Sequence, residues 1–299
     1  MCLIAFTIGA SARWPLVIAA NRDEFLDRPT LPLARWKTPK GHDIISGRDL
    51  RAGGAWFGVT PGGRIAFLTN VREAEPVAAV RSRGELVTRW LESRGDADDF
   101  LSRLAADPTA FAGFNLVIGD FGGNQWHWVT NRPSEAHQAN VMYAEALKPG
   151  IYGPSNAALD SPWPKTRQLK SVLNQSLQAN DPTGNLQALQ TDLWQALGSR
   201  ERASASNLPA TGIALAREEA LSSAFVEMPE FAYGTRSSTL LMACAEPGGW
   251  AVQMEEREHL RTAAPAGQAA DPNWQARREN LHWSVASALP LPSPNFTAA

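Results

Sequence analysis

Cysteine is nearly missing from this chain of 299 residues: there are two, Cys2 and Cys244. A pair so far apart offers no disulfide framework and no zinc site. The five histidines are widely separated and form no HExxH or Cys–His cluster, so none is expected to hold a metal. No run reaches the roughly eighteen apolar residues of a membrane span. Net charge is −2 with the basic residues scattered, so the electrostatic footprint of a nucleic-acid binder is absent. Neither GxGxxG nor GxxxxGK occurs, and no strict strand–helix–strand rhythm runs through the chain, which sets nucleotide-binding folds aside. The opening MCLIAFTIGASARWPLVIAA imitates a signal peptide. It lacks a basic stretch before the apolar run, however, and Arg13 and Pro15 interrupt it. The expectation is a soluble, cytoplasmic chain.

What is present is a globular composition, 44% apolar, with eleven tryptophans that fit either a thick core or an aromatic-lined pocket. Residues Cys2 to Ile8 and Leu16 to Ala20 are apolar and flank GASA, a hairpin signal. Folding that hairpin about Ala12 sets Cys2 opposite Asn21 to Asp23. A second hairpin joins AWFGVT to RIAFLT through PGG and ends at Asn70, and a third joins Asn115–Asp120 to Gln125–Thr130 through FGGN, with another strand near Val141. Ser82 with Glu85 reads as a capping box and Asp96 as a helix cap. Helices are expected over Lys165–Leu177 and Asn185–Leu197, strands over Ser237–Ala245 and Trp250–Glu256, and one helix over Asn273–Ala288. Antiparallel strands interrupted by helix pairs indicate an α+β layered fold. We read one domain over residues 1–260 and an Ala/Pro-rich C-terminal extension over 261–299.

Five polar stretches stand where apolar strands meet loops: MC at the start, NRDE at 21–24, LTN at 68–70, GPSN at 153–156 and YGTRSST at 233–239. Each has a plain explanation alone. Asn and Asp favour turns, an arginine at a strand end is usually solvated, and Cys2 could simply open an apolar strand. Cys244, inside LLMACA, reads as an inert buried thiol. Together with GGAWFGV, LTNVR, GPSNAALDSPWPK and YGTRSSTLL, in this order from Cys2 to about Arg257, the stretches resemble the NRDE family, also called the transport and Golgi organisation family.

That family is in turn similar to the N-terminal-nucleophile cysteine hydrolases, such as penicillin V acylase and bile salt hydrolase. The resemblance implies a four-layer αββα sandwich of two stacked antiparallel sheets, with Cys2 in the nucleophile's place. Arg22 and Asp23 match an Arg and Asp near it, Asn70 and Asn156 match two asparagines, and Arg236 matches an arginine on a late strand. With Met1 removed, the α-amine of Cys2 has an ordinary pKa of about 7.7–8.0 and its thiol about 8.5, close enough for the amine to take the thiol proton. Arg22 would favour thiolate, Asp23 would hold the ammonium, and Asn70 or Asn156 would stabilise an oxyanion. Hydrolysis of an amide or thioester so catalysed requires no cofactor. The alternative left open is a carrier of haem, acyl-coenzyme A or lipid on the same fold, with Arg22 and Arg236 pairing carboxylates or phosphates. There is no CxxCH, and His127 in QWHWV reads as a strand residue.

Overall fold

The first strand, β1 (Cys2–Ile8), is buried at every position, which is why its sequence is apolar everywhere but at Thr7 rather than alternating. It pairs antiparallel with β2 (Leu16–Phe25), Cys2 opposite Arg22 and Ile8 opposite Leu16, as the hairpin pattern requires. The computed structural model describes residues 2–75, 79–107, 109–133, 142–259 and 274–284. Next come β3 (Thr30–Lys37), β4 (Asp43–Asp49), β5 (Phe57–Val59) and β6 (Arg64–Asn70), then helices α1 (Gly84–Leu91) and α2 (Ala97–Ala105). Strands β7 (Phe114–Asp120), β8 (Gln125–Thr130), β9 (Tyr143–Ala146) and β10 (Gly150–Tyr152) precede helices α3 (Pro164–Asn180), α4 (Leu186–Leu197) and α5 (Leu215–Ala220). The last described elements are β11 (Glu227–Met228), β12 (Tyr233–Glu246), β13 (Gly249–His259) and β14 (Trp274–Ser284).

These strands form two antiparallel sheets, one ordered β10-β1-β2-β12-β13-β14 with β11 on β12, the other ordered β3 to β9 in sequence. Side-chain alternation assigns the faces. From β1, Ile4, Phe6 and Ile8 pack between the sheets against Phe57, Phe67 and Leu241. Leu3 and Ala5 point the other way, onto Leu169, Leu173 and Leu193 of α3 and α4. The outer face of the second sheet buries Leu86 and Trp90 of α1 and Phe100 of α2. Helices, sheet, sheet, helices: the αββα sandwich is the observed architecture. Each fully buried large apolar side chain in these layers contributes about 1.5–3 kcal/mol.

Several local expectations change. Ser82 and Glu85 do not form a capping box. Arg83 already has helical φ/ψ at the N-cap position, the Ser82 hydroxyl accepts from the Gly84 N–H (3.3 Å), and the Glu85 carboxylate turns to Arg81 (2.8 Å). Asp96 does cap α2, accepting from the Asp99 N–H at 2.9 Å. The expected helix over Asn273–Ala288 contains a strand instead. The free edge of β13 offers a hydrogen-bonding ladder along the whole of β14, and Trp283 is buried between the sheets, so tertiary pairing overrides the helical pattern; residues 273 and 285–288 lie outside those described. Val141 is outside them too, and the strand expected there is β9, from Tyr143. Strands β3 and β4 were not foreseen. Among the described residues no helix is long and apolar enough to cross a membrane.

Candidate functional site

Strand parity decides which way the polar residues at the end of β1 and β2 point. Cys2 shares its face with Ile4 and Phe6, and Arg22 shares its face with Ile18 and Ala20, so both look into the space between the sheets. Asn21 and Asp23 look the opposite way, toward the α3/α4 layer. At this end the sheets part to leave a cleft of about 530 Å³, lined by Cys2, Arg22, Asp23 and Asn70 of the expected residues. Its opposite wall is built from Trp56, between β4 and β5, and from Arg83 at the start of α1.

Cys2 is 9% exposed. Burial pushes its thiol pKa up; the positive charge of the chain's N-terminus opposes most, the Asp23 charge pushes the same way as burial, and Arg22 and a hydrogen bond from the Asp23 backbone oppose more weakly. The expected thiolate-favouring effect of Arg22 is therefore real in sign and outweighed. Arg22 itself, buried, lies over the Trp56 ring at 4.1 Å and comes within 4.0 Å of Glu24. Asp23 accepts the Thr235 hydroxyl (2.7 Å) on the neighbouring strand β12, and its backbone carbonyl accepts the Tyr233 hydroxyl (3.0 Å). Burial raises the Asp23 carboxyl pKa, with the Lys165 charge opposing.

The two asparagines have different places. Asn156 is buried and does not line the cleft. Its Nδ2 donates to the Asn70 carbonyl (3.1 Å) and to Asn70 Oδ1 (3.2 Å). Asn70, with its amide oxygen held in this way, lines the cleft, and among the described residues its Nδ2 donates no hydrogen bond. The GPSN loop is pinned over β1: the Ile4 N–H donates to Pro154 O (3.1 Å) and the Ser155 hydroxyl to Cys2 O (3.2 Å).

Arg236, like Asn156, is not among the residues that line the cleft, and it is turned away from it. The register between β12 and β2 shifts between Thr235 and Ser237, so Arg236 is the extra residue of a β-bulge. Its guanidinium is re-aimed to the carbonyls of Phe25 (3.3 Å) and Arg28.

Other groups, in the cleft or bonded to its lining, escaped the sequence reading. Lys165, on the first turn of α3, is 3% exposed and donates to Leu221 O (2.9 Å). Burial pulls its pKa down to about 8, with the Asp23 charge opposing. Arg72 lines the cleft and is paired with Glu218. Trp56, Arg72 and Lys165 lie inside the quoted stretches GGAWFGV, LTNVR and GPSNAALDSPWPK, where only the asparagines drew attention. Arg83 and Arg217 carry no such signal. His127 lies on β8, as expected, and Cys244 is half-buried on β12, its thiol pKa raised chiefly by burial. Among the described residues no three His, Cys, Asp or Glu side chains are placed to hold a metal ion.

The sequence model of Transport and Golgi organisation 2 matches residues 1–259. The chain is 29% identical over 260 residues to the Transport and Golgi organization protein 2 homolog of Bos taurus, an alignment covering 82% of this chain and 90% of the bovine one. It is 32% identical over 172 residues to the Homo sapiens homolog, covering 55% and 60% of the two chains. Among solved structures, the Caenorhabditis elegans ortholog of N-acylethanolamine-hydrolyzing acid amidase aligns with a TM-score of 0.46 and 10% identity, over 80% of this chain and 92% of its own. The C2A mutant of the conjugated bile acid hydrolase from Clostridium perfringens gives 0.45 and 8%, over 98% and 100%. At this level of similarity neither bears on the chemistry of this chain.

Proposed function

The chain belongs to the Transport and Golgi organisation 2 family, and on that premise we propose that its cleft takes an acyl amide or thioester and that Cys2 is the nucleophile. The observation that carries this reading is the meeting of Cys2, Arg22, Asp23 and Asn70 in one cleft between the sheets. Once the residue before it is removed, the α-amine of Cys2 takes the thiol proton, and Asp23 stands against the resulting ammonium. The thiolate forms a C–S bond to the acyl carbon, and the oxyanion is held by Asn70 Nδ2, oriented by Asn156. The C–N or C–S bond to the leaving group breaks as that group takes the proton from the ammonium. Water then cleaves the acyl-enzyme thioester, releasing the acid and restoring the thiol. No cofactor is needed.

A second reading, non-enzymatic binding and trafficking of haem, acyl-coenzyme A or lipid, is favoured by the raised thiol pKa, since a buried protonated thiol is a poor nucleophile. The two are separated by assaying acyl amides and acyl-coenzyme A for turnover, beside titration with haem and acyl-coenzyme A. The hydrolase reading expects turnover by the processed wild type that Cys2→Ala abolishes while ligand binding survives. Tight binding with no turnover of any substrate favours the carrier.

A further inference from the structure

The cleft is lined by five arginines, and their partners divide them. Arg28 is held by Asp49 at 2.6 Å and lies 3.8 Å from Glu24. Arg72 is paired with Glu218, and Arg22 is stacked on Trp56 with Glu24 at 4.0 Å. Glu73, another lining residue, is taken by Arg132 at 2.8 Å. Two guanidiniums remain without a carboxylate within 4.0 Å among the described residues. Arg83 is half-buried, and its hydrogen bond is to a neutral group, Nη1 donating to Gly113 O at 3.1 Å. Arg217 stands at the exposed rim on α5, 5.4 Å from the Phe231 ring.

Taking a guanidinium even part-way out of water is costly without an anion beside it. Desolvation lowers the Arg83 pKa, and the negative charges that oppose this belong to Cys2, Glu24 and Glu73. Both glutamates already have other cations, so Arg83 is only partly neutralised by the protein. Its planar fork of donors suits two-point recognition of a carboxylate or phosphate.

We propose that Arg83, with Arg217 at the rim, forms an anion-binding subsite facing Cys2, so that the cleft selects acyl ligands carrying a carboxylate or phosphate-like group over neutral ones. This rests on reading the cleft as a ligand pocket but not on the chemistry at Cys2, and it moves charge recognition from Arg236, which the bulge turns away, to an arginine at the start of α1 that no sequence motif singled out.

The test uses matched probes on the full-length Cys2→Ala chain: N-octanoyl-β-alanine, the corresponding aminoethylphosphonate, and the neutral β-alaninamide. A second pair, the mono-hexylamide of glutaric acid and its neutral diamide, puts the charge on the acyl side. Calorimetric titration should show the anionic members bound about tenfold or more tightly than the neutral ones, the scale of one charge-assisted hydrogen bond. Carboxylate against phosphonate identifies the preferred anion. Arg83→Gln should remove the preference without weakening the neutral probes, Arg83→Lys should restore part of it, and added salt should reduce it. Arg217→Gln, at an exposed site that does not threaten folding, should lower it less. Equal binding within each pair, no measurable binding of either anionic series, or a preference that survives Arg83→Gln in a folded chain overturns the inference. Anion-selective binding with no turnover by the processed wild type leaves it standing and removes the hydrolase reading instead.

Discussion

Burial governs Cys2 more strongly than its neighbours do. Desolvation penalises thiolate, and the Arg22 charge, spread over the Trp56 face, does not reverse it. In the chain as translated, Cys2 should therefore react with iodoacetamide no faster than half-exposed Cys244 at pH 7, and its rate should climb only above the ordinary thiol range. After removal of the preceding residue Cys2 should become the faster of the two. Peptide mass spectrometry of labelled protein across pH checks both; rapid labelling of Cys2 in the unprocessed chain contradicts the burial argument. The position of Cys2 opposite the stretch Asn21 to Asp23 was legible from the hairpin pattern, because register follows from turn position and period-2 alternation, and the observed partner is Arg22. The sign of its pKa shift was not, since desolvation depends on Trp56 and the α1 start, which arrive from distant sequence.

Arg83 reaches the cleft because α1 begins against the loop between β4 and β5. Ala55 N donates to Gly84 O at 3.2 Å, and a Cβ on Gly54 would lie 2.6 Å from that oxygen. This is backbone against backbone, so relief requires α1 to move. Gly54→Ala should cost about 1–3 kcal/mol of stability, the usual range for overpacking. Gly62→Ala, with a threonine hydroxyl at 3.9 Å as its nearest neighbour, should change stability by less than about 0.5 kcal/mol. Urea unfolding of the two variants tests this; equal midpoints would mean that the contact is not tight in solution. Here GGAW was visible as a motif, while the need for Gly54 lies in a helix thirty residues away. The Arg236 bulge was hidden for a similar reason: YGTRSST reads as an unbroken strand, and only the partner strand shows the extra residue.

At the scale of the molecule, the two sheets are joined near the cleft end partly by one carboxylate. Glu256 of β13 accepts the Leu33 N–H of β3 at 2.7 Å, joining the two sheets close to Arg22. Burial raises its pKa to about 7; the Leu33 N–H, the Ser237 hydroxyl and the Arg22 charge lower it, and Glu258 raises it. The folded state thus holds a proton that the unfolded chain, with a carboxyl pKa of about 4.3, gives up. Stability from this group is full below that value and is lost as pH rises through 7. Thermal melts between pH 5 and 8 should show that decline, and Glu256→Gln should flatten it; an unchanged slope contradicts the assignment. The layered class was legible in the sequence because strand runs and helix pairs each kept their own period. The sheet order was not, since β3, β4 and β14 are defined by the strands beside them. The central claim is that Cys2 forms a covalent acyl intermediate, and intact-mass analysis of rapidly quenched, processed protein mixed with an octanoyl thioester tests it most directly. The account predicts an adduct of one octanoyl group on residue 2, absent in Cys2→Ala and lost as free acid appears; turnover undiminished in Cys2→Ala, or acid formed with no adduct at residue 2 at any quench time, would contradict it.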